Sequence, residues 1–322
     1  MAQEEKSPKE LAAERHVSVM KAVFAGETKA SIAGTKIVEA GDAAAFLAAA
    51  RRGDNADASD ASDEAAQAEA EQEAPAAEEA PAAEDAPVED LAPTTVRFES
   101  GDIVATILQM KGSVAVLDAA SYRYPGGSYL KGRRGAEEDL CDGGNLYPVL
   151  EAFQDSFYTP NRQTASGELY TSRALAVPDV VFTRNGEIVK ASVAVIAAPN
   201  RKRALDRHRS ERECELSLRE RVASAMDILA SFGAQTAIVT AFGCAEGNDA
   251  HEVARLIHEW LDAHDGFIPE IVFSIWRDSD RNAFKDAFAD RWEEPAAEPV
   301  QVAEEPEEDD EEEDWEKYRI SE

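Results

Sequence analysis

Glu137 and Glu138 are adjacent carboxylates at the start of a predicted helix. They follow closely on a glycine-bearing loop, Pro125-Gly126-Gly127-Ser128. Acid–base chemistry on a glycosidic bond needs carboxyl groups held beside the reacting oxygen. Glycines let backbone N–H groups approach a phosphate closely. Together the two features point to cleavage of a phosphorylated sugar.

The loop is fed by an apolar run, SVAVLDAA (113–120), which reads as a buried strand ending near Asp118. Around it strands and helices alternate. TTVRFES is a strand, IVATILQM a short helix, and 136–157 a mostly helical stretch interrupted near Gly143-Gly144. ALAVPDVVFTR and VKASVAVIAAP are strands joined by a turn at Asn185-Gly186. Residues 209–232 form a long helix with Leu216, Leu218, Val222, Met226 and Ile228 as its apolar positions. TAIVTAFG is a strand, 251–263 a helix, EIVFSIW a strand and 282–292 a closing helix. This alternation predicts an α/β sandwich with a mixed sheet, with ligand loops outside the strand ends. Asp118 to Glu138 and Ala241 to Asn248 fall there.

Upstream, Ser7-Pro8-Lys9-Glu10 is a helix start, with Ser as cap and Glu three residues on. That helix is expected to turn Leu11, Val19, Met20 and Val23 inward and to end at Gly26. Residues 42–52 make a second, alanine-rich helix.

The net charge of −32 is concentrated in two places. Residues 54–92 hold 14 acidic and no basic residues, and 293–322 hold 15 acidic and two basic ones. The first segment, rich in Ala, Glu, Asp and Pro, lacks aromatic residues to anchor a core and reads as a disordered insertion. The expected organisation is an N-terminal helical part at 1–52, the acidic insertion at 53–92, the main domain at 93–292 and a disordered acidic tail at 293–322. The partner of the acidic segments is unknown. Cys141, Cys214 and Cys244 are an odd set with no paired spacing, which fits a reducing, cytoplasmic setting. No apolar run is long enough to span a membrane, and the N-terminus lacks a signal-peptide pattern.

The stretch VLDAASYRYPGGSYLKGRRGAEEDLCDGGNLYPVL resembles the signature region of microbial-type poly(ADP-ribose) glycohydrolases, a macrodomain family. LYTSRALAVPDVVF, VAVIAAPN and AFGCAEGNDAHEVARL extend the resemblance downstream. The resemblance implies a three-layer α/β/α macrodomain-like sandwich. It implies that Glu138 is the catalytic glutamate, which protonates the leaving ribose oxygen, and that Glu137 positions the distal ribose. Gly126, Gly127 and Ser128 match the loop around the diphosphate and distal ribose. Gly243, Cys244, Gly247 and Asn248 belong to the second phosphate loop, and Asp118 lies near the distal ribose. ADP-ribose or poly(ADP-ribose) is the implied partner, with no cofactor and no metal. No specific nucleic acid is expected.

Four positions depart from the family pattern. Ser128 replaces the third glycine, Ala136 a glutamine, Asp118 an asparagine, and Glu246 an aromatic residue. These departures keep open an alternative: a non-catalytic module that binds ADP-ribose or another nucleotide. Cys141 and Cys244 near the loops read as small packing residues rather than reactive thiols. His251 and His258 are spaced too widely on one helix for a metal pair. The basic run RKRALDRHRSER reads as a solvated loop and helix start, with polyanion contact as the alternative.

Overall fold

The computed structural model describes residues 6–53, 91–99, 101–164 and 166–292. Most of the expected acidic insertion, and all of the acidic tail, lie outside the described residues.

The first segment carries α1 (Pro8–Val23), α2 (Ala25–Gly34), β1 (Lys36–Val38) and α3 (Ala43–Arg52). The chain resumes with β2 (Thr95–Glu99), α4 (Ile103–Gln109) and β3 (Val114–Ala119). Then come α5 (Ala136–Asp142), α6 (Leu146–Glu151), α7 (Thr159–Gln163), β4 (Ala174–Arg184) and β5 (Glu187–Ile196). The last part holds α8 (Arg201–Asp206), α9 (Glu211–Ser231), β6 (Thr236–Val239), α10 (Ala250–Ala263), β7 (Glu270–Ser274) and α11 (Asp278–Ala287).

The strands form one mixed sheet in the order β1-β4-β5-β3-β6-β7-β2. From β5 to β2 all neighbours are parallel, while β4 is antiparallel to both β1 and β5. Buried parallel strands are apolar on both faces, which explains the continuous apolar runs in the sequence. On β3, Ala115 and Leu117 face a core built with α3, α9, α10 and α11. Val114 and Val116 face the opposite core, built with α1, α4, α5 and α6. The result is the α/β/α sandwich with a mixed sheet that the sequence predicts.

Local chemistry sets several boundaries. At the start of α1, the Glu10 N–H donates to Ser7 Oγ and the Ser7 N–H donates to the Glu10 carboxylate. Asn185 and Gly186 both have positive φ, 53° and 87°, as a tight hairpin turn between twisted strands requires. Pro178, which has no N–H to give a ladder, sits where the β4–β5 register shifts between Val177 and Val180.

The break between α5 and α6 has a structural cause. Gly144 bridges to Phe182 of β4, and a Cβ there would run into the Val181 carbonyl. The next residue, Asn145, is fully buried and accepts from the Val181 N–H at 2.8 Å while donating to Thr28 Oγ1 at 2.9 Å. Asn145→Ala would leave the Val181 N–H buried without that acceptor. A loss of about 1–3 kcal/mol is expected, read as a lower denaturant midpoint at unchanged slope.

Four expectations are corrected. Leu11, Val19 and Val23 are exposed; α1 buries Met20 as expected, but alongside Ala13 and Val17. α1 packs beside the site loop, where the Tyr129 hydroxyl meets His16 Nδ1 at 2.7 Å. Gly26 does not end that helix: α1 stops at Val23, and Gly26 lies inside α2. The closing helix starts at Asp278, earlier than the pattern indicates, and Leu216 on α9 is exposed. Among the described residues, no helix is long and apolar enough to cross a membrane.

Candidate active site

The carboxyl ends of the parallel strands open into a cleft of about 1210 Å³. Its walls include Ala119 at the end of β3 and Ala120 just after it, Asn200 after β5, Thr240 after β6 and Trp276 after β7. Such strand ends are where open α/β sheets bind ligands.

Glu137 and Glu138 lie in the first turn of α5, and both line the cleft. Each is tied to the preceding loop by one oxygen. Glu138 Oε1 accepts from the Ser128 N–H at 2.9 Å. Glu137 Oε2 accepts from the Ser121 N–H at 2.7 Å, while its Oε1 is buried with no hydrogen-bond partner among the described residues. Gly127 packs against both carboxylates: a Cβ there would lie 2.7 Å from Glu138 Oε1 and 2.8 Å from Glu137 Oε2. Its φ of 56° also favours glycine. Gly127→Ala is expected to cost about 1–2 kcal/mol in backbone strain alone. It should also displace the two carboxylates, which a weakened ligand affinity would report.

Asp118 is the penultimate residue of β3. It is fully buried, and neither carboxylate oxygen has a hydrogen-bond partner among the described residues. Burial pushes its carboxyl well above the usual carboxylate range, and the Glu138 carboxylate adds to the rise. Burial also raises Glu137, helped by Asp118 and opposed by the Ser121 N–H. Two carboxyl groups so close in a dry site resist ionising together.

The loop's own N–H groups are largely committed. The Gly127 N–H donates to the Tyr124 carbonyl at 3.1 Å, and that of Ser128 to Glu138. Gly126 packs against the Tyr147 ring and Cys141 Sγ rather than lining the cleft. In the second loop, the N–H groups of Cys244, Glu246, Gly247 and Asn248 donate to the Ala241, Gly243, Cys244 and Gly243 carbonyls. Asn248 is buried and staples the loop, donating to the Gly243 carbonyl at 2.8 Å and the Pro199 carbonyl at 2.9 Å. Gly243 and Glu246 line the cleft, whereas Cys244, Gly247 and Asn248 do not.

Burial pushes the Cys244 thiol up to about 12, and burial raises the Cys141 thiol strongly as well. Neither is a ready thiolate. Burial also raises Glu246, with Arg277 opposing and Glu138 reinforcing the rise. Among the described residues, no group of three or more His, Cys, Asp or Glu side chains is arranged to hold a metal.

Several cleft residues escaped the sequence reading. Trp276, at the carboxyl end of β7, is 78% exposed and lines the cleft. It supplies a flat aromatic surface in a site where Glu246 does not. Arg123, Arg203 and Tyr170 also line it. Of these, Arg203 falls in the basic run RKRALDRHRSER, for which polyanion contact is the alternative reading, and Arg123 sits in the glycine-bearing loop itself, whereas no such signal marks Tyr170 or Trp276.

The chain is similar to known proteins in both sequence and fold. The family model described as "Microbial-type PARG, catalytic domain" matches residues 16–185, more than half of the chain. The crystal structure of poly(ADP-ribose) glycohydrolase from Thermomonospora curvata matches with a TM-score of 0.66 at 22% identity, covering 88% of this chain and 99% of that one. The same enzyme bound to the inhibitor ADP-HPD matches with a TM-score of 0.64 at 20% identity, with the same coverage of 88% and 99%. The Deinococcus radiodurans enzyme in complex with ADP-ribose matches with a TM-score of 0.62 at 24% identity, covering 82% of this chain and 97% of that one. No curated protein matches the chain. On the strength of the family match, supported by the same fold, this chain belongs to the microbial-type poly(ADP-ribose) glycohydrolase family.

Proposed function

We propose that this protein hydrolyses the ribose–ribose O-glycosidic bonds of poly(ADP-ribose), with Glu138 as the general acid. Family membership makes the chain a glycohydrolase-type hydrolase. The observation that carries the finer reading is the position of Glu138. It opens a helix at the cleft floor, one oxygen is fixed by the Ser128 N–H, and its other oxygen lies beside Gly135.

In this reading Glu138 gives its proton to the ribose oxygen that leaves. The C–O bond breaks as positive charge develops on the anomeric carbon, and water captures that centre while giving up a proton that returns the Glu138 carboxylate to its acid form. Glu137, Gly127 and Ser128 hold the distal ribose, and Asp118 lies near it. Gly243 borders the diphosphate, with Cys244, Gly247 and Asn248 fixing the shape of its loop. Gly126 acts through packing on Cys141 and Tyr147. The resident chemistry is proton transfer by a carboxyl group.

The second reading is a module that binds ADP-ribose without cleaving it. The committed N–H groups of both loops and the extra carboxyl of Asp118 favour it. One experiment separates the two. The purified protein is titrated with ADP-ribose by calorimetry and then incubated with poly(ADP-ribose), with released ADP-ribose quantified. Release establishes hydrolysis. Binding without release selects the binding module. Absence of both rejects ADP-ribose as the ligand.

A further inference from the structure

We propose that a cationic wall formed by Arg123 and Arg203 recognises the diphosphate of the ligand, and that Glu168 is the residue that positions this wall. The proposal rests on the reading that the cleft takes an ADP-ribose unit.

An anionic ligand here meets an acidic floor, and both glycine loops have directed many of their N–H groups inward. Cations must supply the attraction. Four arginines line the cleft, at 123, 134, 203 and 277. Two of them face aspartates: Arg134 pairs with Asp139 at 2.9 Å and Asp142 at 3.1 Å, and Arg277 pairs with Asp280 at 3.0 Å. Arg203 is exposed on α8 and has no ion pair among the described residues. Arg123 shares one carboxylate, Glu168, with Arg207, at 2.8 and 3.0 Å. One negative charge between two guanidinium groups leaves positive charge in excess on this wall. Burial and the Glu168 carboxylate push the Tyr170 hydroxyl up to about 12, and the charges of Arg123 and Arg203 oppose that rise.

Glu168 is 1% exposed, and the segment around it is strained. Ser166, Glu168 and Tyr170 have φ of 46°, 74° and 63°, left-handed values rare outside glycine. Such strain persists only where surrounding contacts over-determine it, and it gathers at functional sites. The contacts are present. The Glu168 carbonyl accepts from the Asn200 N–H at 2.9 Å, and the Leu169 carbonyl accepts from buried Arg221 at 3.2 Å. Tyr170 donates to Glu168 Oε2 at 2.9 Å and stacks on Tyr122, with ring centroids 4.6 Å apart. Tyr122 and Arg123 lie in the loop whose ends Glu137 and Glu138 hold. The strained segment therefore fixes the guanidinium of Arg123 and the site loop together.

The test is calorimetric titration with ADP, which carries the diphosphate and no scissile bond, with adenosine as the phosphate-free control. Arg203→Ala and Arg123→Ala should each weaken ADP roughly tenfold or more, as loss of a charge-assisted contact does, and leave adenosine unchanged. Arg203→Ala should also flatten the salt dependence. Glu168→Gln should weaken ADP as Arg123→Ala does, and the two together should be no worse than either alone. Arg134→Ala, whose charge is already paired, should leave ADP affinity unchanged.

ADP affinity that is insensitive to both Arg123→Ala and Arg203→Ala overturns the wall, as does failure of the parent protein to bind ADP. A Glu168→Gln protein that melts lower yet binds ADP normally overturns the positioning role. If that variant does not fold, Glu168→Asp, which keeps the charge on a shorter arm, takes its place with the same readouts. Turnover of poly(ADP-ribose) together with ADP affinity insensitive to the arginines would sink this proposal alone. Arginine-dependent ADP binding without turnover would sink only the hydrolase reading.

Discussion

Glu138→Gln is expected to lower kcat on poly(ADP-ribose) by about 10²- to 10⁴-fold, the usual contribution of a general acid. ADP-ribose affinity should stay within about threefold, because glutamine keeps the shape and one acceptor oxygen. That oxygen can still receive the Ser128 N–H, so the loop and Gly127 keep their places. What is lost is the transferable proton. Single-turnover release of ADP-ribose, measured beside calorimetric affinity, separates proton transfer from binding. Turnover within tenfold of the parent protein would reject Glu138 as the acid. Equal losses of turnover and affinity would mean that the residue mainly shapes the pocket.

Asp118→Asn should change how stability depends on pH. The folded protein holds the Asp118 carboxyl well above its ordinary range, because burial disfavours its charge and Glu138 adds to the effect. In the unfolded chain the group titrates near ~3.9. Between these two values the folded state keeps a proton that the unfolded state has released. The stability linked to that proton is fully present below the unfolded value and is lost as pH rises through the folded one. Asparagine removes the titration and has nearly the same shape. The variant should therefore gain on the parent as pH rises from mildly acidic to alkaline, by about 1–3 kcal/mol, the usual cost of a buried group left unsatisfied. Glu137 is raised as well and remains, so part of the alkaline decline should persist. Urea midpoints at three pH values would test this, and parallel curves would reject it.

Much of the fold was legible because periodicity carries it. The strands β3 to β7 correspond to largely apolar runs and β2 to an alternating one, and the cap at Ser7 and the turn at Asn185-Gly186 are local chemistry. β1 was missed because a three-residue strand, Lys36–Val38, offers too short a pattern, and its register is set by β4. α1 was turned the wrong way because hydrophobicity favours Leu11, Val19 and Val23, whereas close packing favours Ala13. The site was legible where residues are chemically unusual, as with the paired acids after a glycine loop. The fate of the loop N–H groups was not, since a sequence does not say whether a glycine's donor faces a ligand or a neighbouring carbonyl. Nor does it reveal that Glu168, far along the chain from Arg123, meets it at 2.8 Å.

The two oxygens of Glu138 have different surroundings. Oε1 receives the Ser128 N–H, and Oε2 lies next to Gly135. If Glu138 is the acid, a division of labour follows: one oxygen is an anchor and the other a proton carrier. Loading or unloading Oε2 leaves the anchor in place, so the loop need not rearrange when the proton departs. Such a site can pass through its reaction cycle as a rigid body, with the proton, the sugar and the incoming water as its moving parts.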